Sequence, residues 1–239
     1  MMHTFVINLE RRKDRLELFL KDYNNLEFFK NTKITRINAI DGETQKFEND
    51  KKENAEHCCA LSWIETLKTI IKNNEIEDTD IAFIFEDDCK FYKEFDEEIG
   101  EVIENFKKII EKDEGYEFLY IGGRWNIGNK RFEPLKKYIS KLENYKYRKV
   151  MLWEEENSLF KRKTGEIISY DTQRCNQCII LTKRQAKKIV SMIEESNIFR
   201  QIYPIDNMFE LFEGYEHFPH LCYTEFNDFD SDIRKNVLV

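Results

Sequence analysis

Ile81-Ala82-Phe83-Ile84-Phe85-Glu86-Asp87-Asp88 decides how this chain is read. The apolar run Ile81–Phe85 predicts a buried strand, and three carboxylates follow where that strand must meet solvent. Ligands of open α/β sheets collect at the carboxyl ends of the strands. Side chains alternate along a strand, so Glu86 and Asp88 are expected to converge on one object while Asp87 faces elsewhere. Hard oxygen ligands suit Mg²⁺ or Mn²⁺. An ion held by few carboxylates completes its shell with phosphate and water. An acidic turn that merely ends a strand is the competing reading.

Outward from this stretch, strand and helix patterns alternate. Residues 4–9 predict a first strand, and a helix over about 11–29 follows with Leu16, Phe19, Leu20, Tyr23 and Leu26 at helical period. A second strand near 33–40 ends at the turn signal Asp41-Gly42. Ala60, Ile64, Leu67 and Ile71 mark a helix before the acidic strand; Phe95, Ile99, Val102, Ile103, Phe106 and Ile110 mark one after it. Strand 117–121 stops at Gly122-Gly123. Strand 177–182 leads into a helix striped by Ala186, Ile189, Val190 and Ile193, and Pro204 opens a short helix through Phe212. The alternation predicts an α/β fold with a central, mostly parallel sheet flanked by helices. No Pro/Gly/Ser linker cuts the chain, so 1–239 reads as one domain.

The pattern lapses from about 124 to 170, which reads as a basic insertion. Residues 130–149 hold eight Lys or Arg against Glu133 and Glu143, with Tyr138, Tyr145 and Tyr147 interleaved. Basic and aromatic residues together bind single-stranded nucleic acid. A solvated loop beside a phosphate-bearing site is the preferred reading, because long loops in compact domains are usually functional.

The 239 residues allow a substantial core: 41% are hydrophobic and 14% aromatic, despite 35% charge. Thirty-eight basic against 46 acidic residues leave a net charge of −8, with no global pull toward nucleic acid or anionic membrane. A phosphate ligand must then be held locally. No apolar run approaches the roughly 18 residues of a membrane span. The opening Met1–Leu9 runs straight into strand chemistry and is too short in its apolar part for a signal peptide. A cytoplasmic, reducing location is expected. Cys175-x-x-Cys178 with His57, Cys58 and Cys59 offers a zinc set of unusual spacing; buried free thiols are the simpler expectation for the six cysteines.

Several segments in order carry a resemblance. They are Val6-Ile7-Asn8-Leu9-Glu10-Arg11-Arg12-Lys13-Asp14-Arg15, Ala39-Ile40-Asp41-Gly42, Cys58-Cys59-Ala60-Leu61-Ser62-Trp63 and Phe85-Glu86-Asp87-Asp88. Cys178–Lys188, Tyr203-Pro204-Ile205-Asp206 and Ser231-Asp232-Ile233 continue the series. The whole resembles glycosyltransferase family 25, which includes bacterial lipooligosaccharide and procollagen galactosyltransferases. The resemblance implies a GT-A-type nucleotide-sugar-binding fold and metal-dependent, inverting transfer of a hexose, galactose or glucose, from a UDP-sugar. The implied acceptor is a glycan or a hydroxylysine-type protein side chain, and no nucleic acid or integral membrane segment is implied.

Each implied role has a physical counterpart. Asn8 and Leu9 end the first strand, where a base can rest. Arg12 and Arg15 open the next helix and reach toward a pyrophosphate at its positive end; an exposed helix face explains them equally. Asp41 is expected to accept the uracil N3–H, or to be an ordinary turn aspartate. Ser62, read as starting a helix, supports the donor or caps that helix. Asp87 joins the donor-binding set. Glu86 and Asp88 are the expected Mn²⁺ or Mg²⁺ ligands, with His220 or Asp232 as the third. Asp206, after Pro204, is the expected base, and a helix-opening acid is the alternative. The resemblance expects Gly at 58, His at 63 and Gln at 225; this chain has Cys58, Trp63 and Glu225. An inactive sugar- or protein-binding relative and a metal-dependent diphosphate hydrolase are the rival classes.

Overall fold

The computed structural model describes residues 1–45, 51–112, 118–122, 150–152, 159–162, 178–196, 209, 214–217 and 220–224. Ten strands join in one mixed sheet: β1 Met2–Asn8, β2 Ile34–Asn38, β3 Ile81–Glu86, β4 Cys89–Phe91, β5 Phe118–Gly122, β6 Val150–Leu152, β7 Leu159–Arg162, β8 Cys178–Thr182, β9 Gly214–His217 and β10 Cys222–Thr224. Helices α1 Lys13–Tyr23, α2 Lys51–Lys72, α3 Phe95–Lys112 and α4 Lys183–Ser196 accompany it, with a 3-10 turn at Glu27–Phe29. The order is β2-β1-β3-β8-β5-β9-β7-β6, with β10 paired to β5 and β4.

The expected parallel sheet is present at one side, where β1 runs parallel to both β2 and β3. It does not extend through the middle. Strand β8 is antiparallel to β3 and to β5, so the sheet is mixed. The stretch 124–170 is also not wholly irregular: β6 and β7 pair antiparallel within it, and β7 pairs with β9. The basic residues 130–149 lie outside the described residues.

Alternation explains the layers. Phe5 and Ile7 of β1, with Ala82 and Ile84 of β3, face a core shared with Ala60, Trp63 and Leu67 of α2 and Ala186 and Ile189 of α4. Val6, Phe83 and Phe85 face the opposite core, with Phe19 and Tyr23 of α1 and Phe95, Ile99 and Phe106 of α3. Helices cover both faces of the central strands, which is why these read as unbroken apolar runs. The α1 side is aromatic: Phe29 meets Phe83 edge-on at 4.9 Å and stacks on Tyr23 at 4.7 Å. Asp96, opening α3, accepts the Glu27 and Phe28 amides at 3.0 Å each and pins the 3-10 turn there.

Local chemistry sets the joints. Thr182-Lys183-Arg184-Gln185 forms a capping box at the start of α4: the Thr182 amide donates to Gln185 Oε1 at 2.7 Å, and the Gln185 amide to Thr182 Oγ1 at 3.3 Å. Lys183 Nζ donates to the carbonyls of Asn73 and Ile76 at 2.7 and 2.8 Å, in the turn that follows α2. Beside it, Asp80 takes the Met1 amino group, the Glu77 amide at 3.0 Å and His3 Nε2 at 3.2 Å. These contacts close the amino-terminal edge of the parallel strands. At the other edge, a Cβ on Gly122 would stand 2.6 Å from the Cys222 Cβ, so only glycine lets β10 approach β5 there.

Candidate functional site

The carboxyl ends of β2, β1 and β3 lie side by side, and Asn8, Leu9, Asp41, Glu86, Asp87 and Asp88 lie at or just after them. Asn8 ends β1 on the α1 face and is fully buried. Its amide Nδ2 donates to the Arg12 carbonyl at 2.9 Å and to Asp87 Oδ2 at 2.7 Å, while its Oδ1 accepts from Arg36 Nε at 3.0 Å. Leu9 follows, half-buried, and its carbonyl accepts the Arg12 amide at 2.9 Å. One buried amide side chain thus ties β1, β2, the start of α1 and the acidic turn together.

The carboxylates do not pair as strand alternation predicts. Strand β3 ends at Glu86, so the alternation stops before Asp88. Asp87 and Asp88 converge instead, on Arg15: its Nη2 lies 3.0 Å from Asp87 Oδ1 and 2.7 Å from Asp88 Oδ2. Glu86 follows Ala82 and Ile84 onto the α2 face, where Trp63 Nε1 donates to its Oε1 at 3.0 Å and Cys59 Sγ lies 3.9 Å away. Burial pushes the Asp87 carboxyl up to about 6; the neighbouring Arg15 and the Asn8 amide pull it down, and the Asp88 charge adds to the rise. Asp88 Oδ1 is buried with no hydrogen-bond partner among the described residues.

Other expected site residues are engaged within the fold. Arg12 faces Asp14 with two contacts, at 3.1 and 3.0 Å, and this guanidinium holds the Asp14 carboxyl below its usual range. Asp41 accepts Arg11 Nε at 2.7 Å and the Glu43 amide at 3.0 Å, an Asx turn crossed by an ion pair. Ser62 does not start a helix, because α2 begins eleven residues earlier. It sits mid-helix and fully buried, accepting the Ile40 amide at 2.9 Å and donating to the Cys58 carbonyl at 2.7 Å, and so fixes the loop after β2. Gly42 lies so close to α2 that a Cβ would stand 3.0 Å from the Ala55 Cα.

His220 is fully buried but is not brought to the turn. The β4–β10 register sets Thr224 opposite Cys89 and Cys222 opposite Phe91, so His220 lies toward the end of this ladder away from Asp88. Among the described residues, no group of three His, Cys, Asp or Glu side chains is arranged to hold a metal. Cys58, Cys89, Cys178 and Cys222 are buried free thiols, and Cys59 is a half-buried one. Asp206, Cys175, Glu225 and Asp232 lie outside the described residues. The sequence reading missed Arg11 and Arg36, polar partners that only the closure of β1 on β2 brings in.

A buried amide, two carboxylates sharing one guanidinium, and an acceptor oxygen without a hydrogen-bond partner among the described residues come together at parallel strand ends, where open α/β sheets commonly carry their ligands. A sequence profile of glycosyltransferase family 25 (LPS biosynthesis protein) matches residues 1–209. The chain belongs to glycosyltransferase family 25. It is a glycosyltransferase, which takes a sugar from a donor to a glycan acceptor. No curated protein matches the chain significantly. No helix among the described residues is long and apolar enough to cross a membrane.

Proposed function

We propose that this family 25 glycosyltransferase moves a hexose, galactose or glucose, from a UDP-sugar to a hydroxyl of a glycan or a hydroxylysine-type protein side chain, with inversion and with a divalent ion. The carrying observation is the Asp87–Arg15–Asp88 arrangement: carboxylates gathered at strand ends, with one Asp88 oxygen left without a hydrogen-bond partner among the described residues. That oxygen fits Mn²⁺ or Mg²⁺, hard cations that take one or two protein carboxylates and complete their shell from phosphate and water. When bound, the ion neutralises charge on the diphosphate as UDP leaves.

The residues divide the rest of the work. Asn8 and Leu9 present amide and carbonyl groups to the nucleotide, and Asp41, oriented by Arg11, accepts the uracil N3–H. Arg15 turns from the carboxylates to the diphosphate as the donor arrives, with the α1 N-terminus behind it. The acceptor oxygen attacks the anomeric carbon, the bond from that carbon to the phosphate oxygen breaks, and the acceptor proton passes to Asp206. Phe209, three positions after Asp206, is buried with its ring 5.5 Å from that of Trp63, whose indole N–H reaches Glu86, and this supports the choice. The test is mass spectrometry of a UDP-hexose panel incubated with Mn²⁺ and glycan acceptors, with and without EDTA. A hexosylated product lost in EDTA is expected. Full transfer in EDTA removes the metal role, and no turnover of any UDP-sugar removes the reading.

A further inference from the structure

Trp63 is a fully buried indole in the middle of α2, and a buried indole N–H must find an acceptor. It finds Glu86 Oε1 at 3.0 Å. The ring is held on its other side by Phe209, edge-on at 5.5 Å, and Phe209 is held in turn by Phe118 at 5.1 Å. Burial and these ring contacts restrain the indole, and its N–H in turn holds the Glu86 carboxylate. An indole only donates, so the acceptor that suits it best is the ionised carboxylate, and the bond to a charged acceptor is of the stronger kind. Glu86 is only half-buried, so a carboxylate anchored from inside remains accessible at the strand end.

The position along the edge says which part of a ligand it meets. The order β2-β1-β3-β8-β5 places Asp41 and Asn8 at one end, the Arg15-linked aspartates on the α1 face of β3, and Glu86 on the α2 face toward Phe209. Uracil at the first position and diphosphate at the second leave the hexose for the third. We propose that Trp63 is a positioning residue: its N–H fixes the Glu86 carboxylate to accept a hydrogen bond from a hydroxyl of the donor hexose. This inference rests on the UDP-sugar reading above.

The experiment compares UDP and UDP-hexose binding by calorimetry with Mn²⁺ present. Trp63→Phe keeps an aromatic ring against Phe209 and removes only the donor. It is expected to weaken UDP-hexose about tenfold while UDP changes less than about twofold, in keeping with loss of one charge-assisted hydrogen bond. Glu86→Gln is expected to show the same selectivity, and the double variant to be no worse than the worse single one, because the two act through one contact. Equal loss for UDP and UDP-hexose, no loss for either, or additive losses overturn the proposal. If Trp63→Phe does not fold, the wild-type indole N–H resonance decides, assigned by substituting the other two of the three tryptophans. It is expected to shift with UDP-hexose and not with UDP; equal shifts overturn the proposal. A wild type that binds neither ligand brings down the UDP-sugar reading and this inference with it. A wild type that transfers hexose, with Trp63→Phe binding as well as wild type, overturns the Trp63 role alone.

Discussion

At the start of β3, Asp80 is surrounded by donors: the Met1 amino group, the Glu77 amide and His3. At the end of the same strand, Asp87 and Asp88 share one arginine, and Asp88 keeps an oxygen without a hydrogen-bond partner among the described residues. Burial acts upward on both Asp80 and Asp87. The donors around Asp80 outweigh it and hold that carboxyl below its usual value, whereas Asp87 is left raised to about 6. The first cluster stabilises the fold and is complete. The second leaves the burial of Asp87 only partly offset, a perturbation of the kind that clusters at functional sites. Carboxylates at the two ends of one strand thus differ in what they lack, and that lack supports the proposed site.

The comparison breaks first at Asp88. Asp88→Asn keeps the size and removes the charge, so transfer is expected to fall below detection while circular dichroism shows a folded chain. Retained transfer would make the turn a second structural cluster. Asp206→Asn is expected to lower turnover by about 10²–10⁴-fold with UDP affinity nearly unchanged, since its proposed role is proton transfer from the acceptor. Near-normal turnover would move the base to Asp228, Asp230 or Asp232.

Titration sharpens the contrast. The Asp87 carboxyl lies near 6 in the fold against an ordinary 3.8, so the folded chain holds that proton more tightly. Its contribution favours folding fully below about pH 4 and is lost as pH rises through 6, a swing of roughly 3 kcal/mol. Urea unfolding from pH 4 to 7 is expected to show that decline in wild type, and Asp87→Asn to flatten it. At the opposite edge, Lys183→Met removes the side-chain donor of the buried Ile76 carbonyl and leaves the Asn73 carbonyl with the Ile76 amide alone, at 3.3 Å, among the described residues. A loss of about 1–3 kcal/mol is expected, with transfer by the folded enzyme unchanged.

How much of this was legible depends on how local the cause is. The strand Ile81–Glu86 and its acidic end were readable because a strand covered on both faces carries an apolar run that little else produces. The convergence of Asp87 with Asp88 on Arg15 was not, since strand alternation pairs Glu86 with Asp88 only if the strand continues past Glu86, where it stops. Ser62 was misread because α2 begins in the polar stretch from Lys51, where apolar period gives no warning of a helix. The direction of β8 depends on the long path between Gly122 and Cys178, on which no local pattern reports. Strands β4 and β10 are three residues each, too short for period to speak. The capping box Thr182-x-x-Gln185 stood in plain view as a spacing and passed unread.

The smallest expected effect is at Asp80, and it tests the premise that its cluster serves only the fold. Asp80→Asn keeps an oxygen for the Glu77 amide but loses the charge that holds the Met1 amino group and His3. A loss of about 1–2 kcal/mol at neutral pH is expected, of the order of one charge-assisted hydrogen bond at a partly buried position. The pH dependence has the opposite sign to that of Asp87. A carboxyl held low in the fold contributes above its unfolded value, near pH 4, and the contribution fades as pH falls through the lower folded value. Acid unfolding of Asp80→Asn should therefore be shallower than that of wild type below pH 4, while hexose transfer at neutral pH is unaltered. A transfer defect in the folded variant would show that the amino-terminal edge communicates with the site, and the division between the two ends of β3 would not hold.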